Sequence, residues 1–154
     1  MRAVRGRLVA VLAVAGLLFW AEAARAAISC TIAAVGVSFG TYNVFATSPL
    51  DSTGSITYTC VSIKNSDRVT IDISRGSGSS FNPRQMFRSG EALGYNLYMD
   101  SARTQIWGDG TSGTSHPNFK PLPLDTLIIY GRITAGQDAS AGNYSDTVIA
   151  TINF

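Results

Sequence analysis

Residue types that do chemistry are sparse in this chain, and their spacing limits what they could do. The single histidine, His116, sits in a polar stretch beside Pro117. A Ser-His-Asp triad would need that imidazole, and no G-x-S-x-G elbow presents a serine to it. Its setting reads as a solvated loop position rather than a general base. Paired carboxylates could support glycoside hydrolysis, with Asp100 and Asp109 the best-placed pair. Both follow strand ends at turns, where aspartate is favoured for local hydrogen bonds. The glycine-rich loops lack the Lys-Ser/Thr of a phosphate-binding loop. No set of catalytic roles can be named, so the chain reads as no enzyme, with no catalytic residue, metal or cofactor expected.

Binding chemistry has more candidates. Trp107-Gly108-Asp109-Gly110 could form a platform on which a sugar ring stacks, with Asp109 as polar partner. The preferred alternative is a core-edge tryptophan entering a tight turn. Phe81 and Met86-Phe87 pose a similar choice between exposed adhesive loop tips and core, and burial is favoured for side chains this large. Asn143-Tyr144-Ser145 matches a glycosylation sequon, a tripeptide that is common by chance.

Strands must position these residues. Of the 154 residues, 14% are charged and 10% aromatic, with 15 glycines and only five prolines. Average soluble domains carry roughly 25% charge. Low charge with abundant Ser, Thr, Gly, Tyr, Val and Ile points to an all-β extracellular domain. Val69 to Ser74 alternates apolar and polar, placing Val69, Ile71 and Ile73 on one face. The same rule groups Ile56, Tyr58 and Cys60, then Leu93, Tyr95, Leu97 and Met99. It also groups Leu127, Ile129, Gly131 and Ile133. Gln105 to Trp107 is expected to pair back across a turn at 100–103. Tyr144 to Phe154 is expected as a last strand with Val148, Ala150, Ile152 and Phe154 on one face. Cys30 to Tyr42 is expected to hold one or two short strands. Six or seven strands fit a two-sheet sandwich.

Residues 1–26 have the layout of a secretory signal peptide. Arg2, Arg5 and Arg7 precede an uncharged apolar run of 13 residues, Leu8 to Trp20, and Ala24-Arg25-Ala26 supplies a cleavage site. That run is too short to cross a membrane as a helix, so no integral membrane segment is expected in the mature chain. The domain is then 27–154. The chain's net charge of +2 falls to −1 beyond residue 26, which gives no basic balance for nucleic acid. In an exported chain, Cys30 and Cys60 read as one disulfide. A loop of that length is worth roughly 3.5 kcal/mol in the chain-entropy model.

Several pieces in order carry a resemblance. An early cysteine is followed by Val37-Ser38-Phe39-Gly40-Thr41-Tyr42, then Ser48-Pro49, then Gly54-Ser55-Ile56 running into Cys60. A Gly-Ser loop and Arg88 come next. Leu93-Gly94-Tyr95-Asn96-Leu97-Tyr98-Met99-Asp100 leads to Trp107-Gly108-Asp109-Gly110. Ile129-Tyr130-Gly131-Arg132-Ile133 follows, and Gly142-Asn143-Tyr144-Ser145-Asp146-Thr147-Val148 runs towards Phe154. From Cys30 to Phe154 the chain resembles the spore coat protein U domain, the module shared with Csu-type subunits of archaic chaperone–usher pili.

The resemblance implies an immunoglobulin-like β-sandwich lacking one strand. It implies a structural subunit whose partners are a periplasmic chaperone, an outer-membrane usher and other pilus subunits. The chain would pass through the periplasm to the cell surface or an extracellular fibre. A lent strand would fill the open groove, and Val148, Ala150, Ile152 and Phe154 are the candidates for lining it. Family members that polymerise carry a donor segment before the first cysteine. Here cleavage leaves Ala27-Ile28-Ser29, which suggests a chain-end or tip subunit. The competing reading is a self-contained secreted module that binds carbohydrate or another surface through Trp107, Asp109, Phe81 and Phe87.

Overall fold

The computed structural model describes residues 26–154. All of the expected signal peptide except its last residue lies outside them. Eight strands and no helix are formed among the described residues: β1 Ser29–Val35, β2 Leu50–Val61, β3 Val69–Ile73, β4 Arg84–Arg88, β5 Glu91–Tyr98, β6 Asn118–Phe119, β7 Leu124–Ile133 and β8 Ala150–Asn153. They make two sheets, one of five strands in the order β1-β2-β7-β5-β4 and one of three in the order β6-β3-β8. Every pairing within these sheets is antiparallel.

Alternation decides which face of each strand turns inward. Ile56, Tyr58 and Cys60 from β2, Leu93, Tyr95 and Leu97 from β5, and Ile129 and Ile133 from β7 form the inner layer of the large sheet. Ile71 and Ile73 of β3 meet them from the small sheet. Trp107 completes this core, with its indole N–H donating to the Ile71 carbonyl at 2.7 Å. Cys30 and Cys60 stand opposite each other in the β1–β2 ladder and are joined as a disulfide. Gln105 to Trp107 pairs back on β5: the Met99 N–H donates to the Gln105 carbonyl and the Trp107 N–H to that of Leu97.

Two expectations need correction: the extent of the last strand, and the number of strands, which is eight rather than six or seven. The stretch from Tyr144 to Phe154 forms a ladder only over Ala150–Asn153. β3 ends at Ile73, so the residues before Ala150 have little strand to pair with. Cys30 to Tyr42 contributes one strand, within the expected one or two, because the chain leaves the β2 ladder at Val35 and turns across the sandwich. β4 was not anticipated, because the residue it buries deepest is an arginine.

Arg84 is fully buried. Its Nε donates to the Ser74 carbonyl at 3.0 Å and its Nη1 to Asn96 Oδ1 at 3.2 Å. Nη2 reaches the carbonyls of Trp107 at 2.6 Å and Ile73 at 3.4 Å. The guanidinium also lies 5.1 Å from the centre of the Phe81 ring. One side chain therefore ties β4 and β5 of the large sheet to the end of β3 in the small one. Burial lowers its pKa to about 10, so it stays charged at neutral pH. Arg84→Ala would leave a cavity and unmatched acceptors, and should lower stability in urea unfolding by about 3–5 kcal/mol. Arg84→Lys should recover only part of this, because an ammonium cannot fork to several acceptors. A loss below about 1 kcal/mol in Arg84→Ala would show the network to be dispensable.

Candidate functional site

The principal cavity lies between the sheets and has a volume of about 960 Å³. Its floor is the core itself: Ile56, Ile73, Leu93, Tyr95, Leu97, Ile129 and Ile133. One wall is the end of β1 with the segment that follows it, from Ala34 to Phe45, and the other is the segment from Ala139 to Val148 with Ala150 of β8.

The first wall fits because two strands carry glycine beneath it. A Cβ on Gly131 would stand 2.7 Å from Val37 Cγ1 and 2.8 Å from Phe39 Cζ, and one on Gly54 would stand 2.6 Å from the Val35 carbonyl oxygen. With no side chain there, Val37 and Phe39 settle onto the inner face of β2 and β7. Phe39 then packs edge-on against Tyr95 with ring centres 5.9 Å apart. Ser52 Oγ donates to the Ser38 carbonyl at 2.6 Å. Further along, Tyr42 Oη donates to the Thr134 carbonyl at 3.0 Å and accepts the Gln137 N–H at 2.9 Å.

The second wall is fastened by its own polar residues. Phe87 of β4 and Ser145 exchange backbone hydrogen bonds of 2.9 and 3.2 Å. Tyr144 Oη and Ser140 Oγ each donate to the Glu91 carboxylate at 2.8 Å. Arg88 lies 3.5 Å from the same carboxylate. Tyr95 Oη donates to Asp146 Oδ2 at 2.6 Å, and Asp146 Oδ1 accepts the Ser77 N–H at 2.8 Å. Burial and then this hydrogen bond to a carboxylate push the Tyr95 phenol well above its ordinary range, so it remains a donor.

The edge of β8 faces this space. Ile71 and Ile73 donate their N–H groups away from β8, to the carbonyls of Pro117 and Gly108. Thr70 and Asp72 therefore turn towards β8, opposite Asn153 and Thr151. The alternation leaves the backbone groups of Ala150 and Ile152 pointing away from β3. Among the described residues, no strand pairs with that edge of β8 or with the second edge of β1.

The residues singled out from sequence fall in different places. Val148 and Ala150 line the cavity, whereas Ile152 packs against the core beside it and Phe154 is 57% exposed. Trp107 is 1% exposed and presents no face to a sugar. Phe81 is buried against Arg84, and Phe87 is half-buried on β4. Phe81 and Asp109 do share the border of a second cavity of about 490 Å³. Asp109 accepts from the Thr111 N–H and hydroxyl, and Asp100 accepts from Thr104 and Gln105, so each carboxylate caps its own turn. His116 is not a free loop residue: its Nδ1 is 2.6 Å from Asp72 Oδ1. Asp72 in turn accepts from Asn153 Nδ2 at 2.8 Å. Among the described residues, no group of three or more His, Cys, Asp or Glu could hold a metal ion, and no helix is long and apolar enough to cross a membrane.

Hydrogen bonds from Tyr144 and then Ser140 hold the Glu91 carboxyl below its ordinary pKa. A depressed carboxyl pKa means the tie is in place above the unfolded value, roughly 4.3, and is lost as pH falls through the folded one. Amide exchange across 139–146 should therefore quicken, after correction for intrinsic rates, as pH is lowered past the unfolded carboxyl value. Glu91→Ala should show the same loosening at neutral pH. Unchanged protection in that variant would mean that the wall is held by its other contacts.

Comparison with known proteins adds three findings. The model of the Spore Coat Protein U domain matches residues 17–151. Protein U of Myxococcus xanthus is 46% identical over 67 residues, covering 43% of this chain and 36% of that relative, so the match spans about a third of the relative's length. A solved structure, the CsuC–CsuE chaperone–tip adhesion subunit pre-assembly complex from the archaic chaperone–usher Csu pili of Acinetobacter baumannii, aligns with a TM-score of 0.56. It is 24% identical in sequence, and the alignment covers 83% of this chain and 40% of that one.

Proposed function

The chain belongs to the Spore Coat Protein U domain family, and from that premise we propose that it is a non-catalytic structural subunit of a chaperone–usher surface fibre, completed by a strand from another protein. The observation that carries this reading is the open cavity bordered by the unpaired edge of β8. An inserted strand would satisfy the outward backbone groups of Ala150 and Ile152 and cover the apolar floor. A periplasmic chaperone would lend that strand first, and an outer-membrane usher would exchange it for a segment of a neighbouring subunit. The fold shared with a structure of a tip adhesion subunit in pre-assembly complex with its chaperone supports a chaperone as a partner in this reading. In this reading residues 1–26 direct export and are removed, and the subunit moves from the periplasm to the cell surface.

A narrower reading places the subunit at a fibre end. Cleavage after Ala26 would leave three residues before Cys30. At about 3.3 Å per residue they could not cross a neighbour's cavity. Mass spectrometry of the exported chain tests this: a start near Ala27 is expected, and a start well upstream of Ala24 would remove the fibre-end role.

The main proposal is tested by producing residues 27–154 alone in an oxidising periplasm. Degradation, aggregation or strand-swapped oligomers are expected, cured by a co-produced chaperone or an added strand peptide. A soluble monomer with one cooperative urea transition would instead support the self-contained binding module, for which the cavity beside Phe81 and Asp109 is the candidate site.

A further inference from the structure

At the mouth of the principal cavity the chain holds an aromatic side chain out in water. Phe45 is 89% exposed, the highest value of any large apolar residue among those described. It nevertheless belongs to the cavity lining. An isolated exposed apolar residue is ordinary on a protein surface. Phe45 differs in that its backbone is fixed while its side chain has no place in the core. Asn43 Oδ1 accepts the Phe45 N–H at 3.0 Å, and the Asn43 carbonyl accepts the Ala46 N–H at 3.1 Å. The base of this turn is tethered by Tyr42, through its hydrogen bonds to Thr134 and Gln137. The turn thus presents the ring at the rim of an apolar cavity and leaves it uncovered.

The geometry points to Phe45 as a specificity-determining residue of this cavity: it closes over an extended strand bound there and packs on an apolar side chain of that strand. The inference rests on the strand-accepting reading above. A strand paired with the free edge of β8 sends alternate side chains down to the floor and the others outward. Ile73, Tyr95 and Ile129 receive the first set. Phe45 meets the strand at the opening, where a charged side chain would have to give up water against the ring.

The test uses the disulfide-bonded subunit refolded with a fluorescein-labelled synthetic peptide of alternating valine and threonine, and follows peptide release. Phe45→Ser should speed release about tenfold to a hundredfold, the range that burial of a phenylalanine side chain corresponds to. Phe45→Leu should restore most of the retention. Leu122→Ser, which removes an exposed apolar side chain outside the cavity, should leave release unchanged. Far-UV circular dichroism should be the same for all variants, because Phe45 is not part of the core. Release from Phe45→Ser at the wild-type rate would overturn the role of Phe45 and leave the strand-accepting cavity intact. Failure of the wild-type subunit to retain any peptide would overturn both.

Discussion

An antiparallel strand has two hydrogen-bonding edges, and β8 uses one of them. Its backbone bonds β3 through Thr151 and Asn153 and turns the backbone groups of Ala150 and Ile152 away from β3, with Ala150 lining the cavity. An edge of this kind must be wetted, blunted or paired. Here it borders an apolar floor that a closed sandwich would cover. The uneven sheets, five strands against three, express the same constraint. Most features of the molecule can be read as holding the two sheets in place around that opening.

Polar staples take up that task where apolar contact is missing. Arg84 links β4, β5 and the end of β3 through four acceptors. Asp146 and Glu91 fix the wall that leads into β8 by accepting from Tyr95, Tyr144 and Ser140. Buried polar networks of this kind are stabilising only when every member is satisfied. Among the described residues, no buried side-chain nitrogen or oxygen lacks a partner. The disulfide pins the start of β1 to β2, five residues before the chain leaves that ladder at Val35 and crosses to Val37 and Phe39.

Strands whose buried positions are apolar were legible in the sequence. β3, β5 and β7 follow the alternation that placed Ile71, Tyr95 and Ile129 inside, and the Cys30–Cys60 pairing followed from two cysteines in a chain read as exported. β4 was hidden because its inward residue is Arg84, which becomes core only once Asn96, Ser74 and Trp107 surround it. β6 was hidden by its length of two residues. The cavity was legible only in part. Val148 and Ala150 follow from the pattern of the last strand, but the opposite wall depends on Gly54 and Gly131 lying under Val37 and Phe39. The contact between His116 and Asp72 likewise joins residues 44 apart in the chain. Such fits are tertiary, and local periodicity carries no trace of them.

The free edge of β8 can be read directly by amide hydrogen exchange at Ala150 and Ile152, measured by NMR on the oxidised subunit before and after addition of an extended peptide. If the edge is unpaired and accepts a strand, both amides exchange fast in the subunit alone and become protected with peptide, while Thr151 and Asn153 are slow in both states. Protection of Ala150 and Ile152 in the subunit alone, or fast exchange that peptide does not alter, would contradict a strand-accepting fold.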